Sequence, residues 1–97
     1  MTSERAQAYR RVLHTLEQLG PSKLLGAEQD RIRAAADSLI FASGLLEDAA
    51  ALEALADIEL LCRALVDSGR WERVAAMRLA EDVAACGPSH APEVRAA

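Results

Sequence analysis

Ninety-seven residues make one domain, and 52% of them are hydrophobic while only 3% are aromatic. That composition excludes a disordered chain, and the net charge of −4 argues against nucleic-acid backbones, which reward clustered Lys and Arg. No apolar run reaches the length of a membrane span, and MTSERAQAYRR at the start lacks the apolar segment of a secretory signal. Two cysteines without such a signal read as reduced thiols, so the expected location is the cytoplasm.

The first helix is expected to start after Thr2 or Ser3, whose hydroxyls can cap it, with Glu4 favoured in the first turn. Tyr9, Val12, Leu13, Leu16 and Leu19 form one apolar stripe, and Gln7, Arg11, His14 and Gln18 face away. Gly20–Pro21 is read as its end, because proline cannot continue the hydrogen-bond ladder. SKLLG then connects, and at least one of Leu24 and Leu25 is expected to be buried. The second helix is placed at about Ala27 to Ala42, with Ile32, Ala35, Ala36, Leu39 and Ile40 on its core face. Phe41 falls opposite Ile32, and Ser43–Gly44 is read as the close. Leu45–Leu46 leads onward.

Asp48 to Val66 is the longest uninterrupted helical signal, rich in Ala, Leu and Glu. Asp48 suits an N-cap, and Gly69 suits the left-handed turn beyond the end. Ala51, Ala54, Leu55, Ile58, Leu61, Cys62 and Leu65 share a face, whereas Leu60 sits among the charges. A fourth helix follows from about Trp71 to Cys86. Its core face holds Ala75, Ala76, Leu79, Val83 and Cys86, and Val74 and Met77 project roughly the other way. Gly87–Pro88 stops it, and residues 88–97 read as a loose tail beyond an ordered core at about 3–87. Valine and isoleucine are sparse and nothing alternates with period two, which argues against a sheet. Short connections between four helices predict an all-α, up-down-up-down antiparallel bundle.

The chemistry-bearing residues are scattered. Cys62, Cys86, His14 and His90 lack the spacing of a zinc site. Cys62 and Cys86 should lie at different levels of neighbouring helices, so no disulfide is expected. Glu81 and Asp82 are adjacent, but adjacent helical positions diverge by about 100° and cannot share a proton. No phosphate loop or di-iron Glu-x-x-His pattern occurs, so neither an enzyme nor any metal or cofactor is expected. Helices joined by SGRW could imitate a helix-turn-helix, with Arg70, Arg73 and Arg78 available. Glu72, Glu81 and Asp82 share that helix, and nucleic acid is not the expected partner.

Phe41, Leu60, Val74 and Met77 all leave their helices' core faces, which invites a second apolar surface. Trp71, at a helix start, can cover the bundle end or anchor a partner. The alternative is a fourth helix buried on two sides, with Leu24, Leu25, Leu45 and Leu46 covering Val74 and Met77. The expectation is a small cytosolic module that works by protein contact, as a homodimer or as an adaptor on a larger partner. The runner-up is a helical module binding a small apolar ligand within an alanine-rich core. The Ala–Leu–Glu–Arg bias suggests a high-GC, bacterial genome.

Overall fold

The computed structural model describes residues 3–44 and 48–88. They form four helices: α1 (Glu4–Lys23), α2 (Gly26–Ile40), α3 (Ala49–Asp67) and α4 (Arg73–Ala85). The chain is an all-α four-helix bundle. α1 packs on α2 and α4, α3 packs on the same two, and α2 meets α4 across the centre. Hydrogen bonds fix the directions. Arg5, at the start of α1, reaches the carbonyls of Leu39 and Cys86 at the ends of α2 and α4. Glu28, at the start of α2, meets Arg70 just beyond the end of α3. Consecutive helices therefore run antiparallel.

Each helix buries the face its apolar spacing defines. Val12 and Leu16 of α1, Ile32 and Leu39 of α2, Ile58 and Leu65 of α3, and Leu79 and Val83 of α4 are all buried. Ala8, Ala36, Ala51 and Ala76 lie between them and are also buried, so helix backbones approach closely where a larger side chain would hold them apart. Among the described residues no polar or charged side chain is buried. The core is thus held by apolar contact, and polar groups act at helix ends and rims.

The helix starts follow capping chemistry. The Ser3 hydroxyl accepts the Ala6 N–H at 3.0 Å, and the Asp48 carboxylate accepts the Ala51 N–H at 3.2 Å. Gly69 takes φ 79° beyond α3, where an L side chain would be strained. The expected Thr2 cap, the Leu45–Leu46 lead-in and the tail from residue 89 onward lie outside the described residues.

Two expected helix ends move. α1 does not stop at Gly20–Pro21 but continues to Lys23. A proline this near a helix end forfeits one ladder bond, and the gain is tertiary: the extra turn seats Leu24 in the core, and the Lys23 carbonyl accepts the Trp71 indole N–H. α2 ends at Ile40, before Ser43–Gly44. Its last carbonyls are captured instead by Arg5, whose guanidinium substitutes for a further helical turn.

Candidate protein-contact surface

Of the residues singled out for contact, Phe41, Leu60, Val74 and Met77 are exposed, at 85%, 61%, 60% and 53%. Leu24 is buried and Leu25 is exposed, and Val74 and Met77 are not covered within the described chain. The structure does not bring all four onto one surface. Phe41 caps the end of α2 and faces outward there. α4 is the diagonal partner of α2, so the outward faces of these helices look in opposite directions. Val74 also belongs to the other end of the bundle, near the start of α4. One flat partner cannot touch both.

What does gather is the α3–α4 side. Val74 and Met77 are three residues apart on α4 and share a flank. Beside Met77 runs an open groove of about 440 Å³ between α3 and α4. Its floor is apolar: Cys62, Val66, Ala76 and Ala80. Its walls are charged, with Glu59, Arg63 and Asp67 on α3 and Arg73 on α4. An apolar floor with charges of both signs on the rim suits an amphipathic partner surface. Leu52 belongs to this side too. It is 45% exposed and stands two turns before Leu60 on the same helix. The reading by residue type passed over it, although the four-residue spacing Leu52, Ala56, Leu60 was a visible signal.

Trp71, read as a cover for the bundle end or an anchor for a partner, is a core residue, 7% exposed, in keeping with the first of these roles. The turn after α3 folds back, with the Arg70 and Trp71 N–H groups both donating to the Leu65 carbonyl. That fold drives the indole under the end of α1, where its N–H donates to the Lys23 carbonyl at 3.2 Å. Arg70 closes the same end from outside, with a two-pronged pair to Glu28 at 2.8 Å. The Glu28 carboxylate also accepts the Leu25 N–H. Arg70 and then Leu25 hold the Glu28 carboxyl below its ordinary pKa.

At the opposite end the organising residue is Arg5, to which no motif drew attention. Its Nη2 donates to the carbonyls of Leu39, Ile40 and Ala42 at 2.7, 3.0 and 2.7 Å. Its Nε donates to the Cys86 carbonyl at 2.9 Å. One cation thus serves the negative ends of two helices.

Chemically reactive groups are kept apart or unreactive. Cys62 and Cys86 are free, buried thiols. Burial raises the Cys62 pKa, and burial followed by the nearby Asp82 charge pushes Cys86 up to about 11. Neither therefore has the thiolate character a nucleophile needs. Asp82 pairs with Arg11 at 2.9 Å, away from the exposed Glu81. His14 lies on the surface near Arg10, Arg11 and Asp82. No group of three metal-ligating side chains occurs among the described residues. Nor, among them, is any helix long and apolar enough to cross a membrane. No protein-family model, no curated protein and no solved structure matches this chain.

Proposed function

We propose that this protein works by contact with another protein, not by catalysis, and that the α3–α4 side is the surface it presents. One observation carries the reading. Leu52, Leu60, Val74 and Met77, four of the six large apolar side chains exposed among the described residues, belong to these two adjacent helices. Single exposed apolar residues are ordinary, but a cluster on neighbouring elements marks an interaction surface. The partner chosen is a second copy, because a homodimer needs no other component and closed two-fold symmetry is the commonest assembly. The test is solution mass by light scattering on a sizing column, across a dilution series. A dimer that dissociates on dilution, and is dispersed by Met77→Glu with helix content unchanged, supports the proposal. A monomer at every concentration removes the homodimer.

A second reading has its own observation. The groove volume of about 440 Å³ falls in the range of small-molecule sites, roughly 300–1,000 Å³, and its floor is apolar. A groove that takes a small apolar ligand predicts a monomer whose melting temperature rises as ligand is added.

A further inference from the structure

The break between α1 and α2 has no local cause. α1 passes through Gly20–Pro21, the strong stop signal, and ends at Lys23, and α2 starts at Gly26. Leu24 and Leu25 lie between, and leucine is among the better helix formers. What divides the helices comes from the turn between α3 and α4. In one continuous helix the Lys23 carbonyl would accept the Ala27 N–H, and the Leu25 N–H would donate to the Pro21 carbonyl. Here the Lys23 carbonyl accepts the Trp71 indole N–H at 3.2 Å and Arg70 Nη2 at 3.3 Å. The Leu25 N–H donates to Glu28 Oε1 at 2.8 Å, and Arg70 holds the same oxygen at 2.8 Å. Arg70 and Trp71 thus occupy, directly or through Glu28, two backbone groups that a continuous helix would use.

We propose that Arg70 and Trp71 form a latch that keeps the bundle closed, and that without it α1 and α2 join into one straight helix whose α1 half packs on a second copy. The occupant follows from the bundle itself. Straightening withdraws the buried Ala8, Val12 and Leu16 from α2 and α4. A second copy offers the vacated site unchanged, so two chains that exchange α1 regain its contacts except those at the latch. The two long helices then lie antiparallel, with their dyad at Leu24–Leu25. This goes beyond the α3–α4 contact surface and does not use it.

A distance within one chain tests it. Gln7 and Ala34 are exposed. They stand on neighbouring packed helices, whose axes run about 8–10 Å apart; on one straight helix they would be about 40 Å apart. Spin labels are attached to the chain carrying Gln7→Cys and Ala34→Cys in its native state, where Cys62 and Cys86 are buried. The labelled chain is unfolded and refolded in an excess of the same chain without labels, so that double electron–electron resonance sees only distances within one chain. The natural chain should give the short distance alone. Arg70→Met combined with Trp71→Phe should give the long one, at the mass of a dimer or above. Adding Gly26→Pro should restore the short distance. Proline suits the first position of α2, because Leu25 before it is already extended at φ −72° and ψ 156° and a Cβ at Gly26 meets nothing within 4 Å. In a continuous helix the same proline would be a break. A long distance in the natural chain, or a folded latch variant that keeps only the short one, overturns the latch. So does a latch variant that loses helix content by circular dichroism, because release leaves every helix formed. A long distance at monomer mass overturns the exchange, and one that survives Gly26→Pro overturns the continuous helix. A dimer on the α3–α4 side leaves the distance within each chain short, so the two proposals fail separately.

Discussion

Arg5→Met isolates the contribution of one guanidinium to the bundle, because methionine keeps part of the aliphatic stem and removes every donor. Four carbonyls lose a partner: those of Leu39, Ile40, Ala42 and Cys86. The bonds do not count as four, since Nη2 has two hydrogens for three of these oxygens and Nε has one for the fourth. Three effective bonds at about 1 kcal/mol each, the typical net value of an intramolecular hydrogen bond, give a loss of about 3 kcal/mol. A domain of this size has a total stability of about 5–15 kcal/mol, so the loss is a large fraction. It corresponds to a fall in melting temperature of roughly 12–24 °C. Urea unfolding followed through the single tryptophan, Trp71, measures it. Arg5→Lys should lose about half as much, because one ammonium can serve helix-end carbonyls without spanning the fork. If Arg5→Met lies within about 0.5 kcal/mol of the natural chain, the range of ordinary surface changes, the clamp is not holding the helix ends together.

Three further outcomes follow from the other polar and reactive groups. Trp71→Phe deletes the indole donor to Lys23 while keeping the ring, and should cost about 1 kcal/mol; Trp71→Ala empties the bundle end and should cost about 3–5 kcal/mol, both read by chemical denaturation followed by circular dichroism. The Glu28 carboxyl has its folded pKa below the ordinary value of 4.5. Its contribution is therefore complete above that value and is lost as pH falls through the folded pKa. Glu28→Gln should flatten the acid side of the stability profile below pH 4.5, and an unchanged slope would count against the Arg70 pair. Cys62 and Cys86 should both resist a thiol reagent at neutral pH in the native protein and react promptly in denaturant, Cys86 being the slower of the two. Fast native labelling of Cys86 would contradict its burial beneath Arg5.

The helices were legible because apolar spacing alone decides which face a helix buries. Ile32, Ala36 and Leu39, and likewise Ile58, Leu61 and Leu65, needed no knowledge of their partners. The ends were less legible because they depend on tertiary contacts. Gly20–Pro21 carries the local signal of a stop, yet the Trp71 indole waits for a carbonyl one turn further on, at Lys23. Ser43–Gly44 likewise looks like a terminus, but Arg5, far away in sequence, takes the carbonyls first. Trp71 had two equally good roles on paper, and only the fold-back onto Leu65 distinguishes a cover from an anchor. The exposed set was readable residue by residue from the wheel. Its division between an isolated Phe41 and a gathered α3–α4 side required knowing that α2 and α4 are diagonal.

The Arg5 clamp also sets a clock. Its bond to Cys86 spans 81 positions of the chain, whereas most contacts in a helical bundle are local and quick to form. Translation proceeds at about 5–20 residues per second, so roughly 4–16 s separate the synthesis of the two residues. During that interval α1 can pair with α2, but the side it turns to α4 has no cover. The first helix is thus made early and sealed last, and the flank that carries Arg11, which pairs with Asp82 of α4, is the surface a nascent chain must keep from other molecules until the final helix arrives.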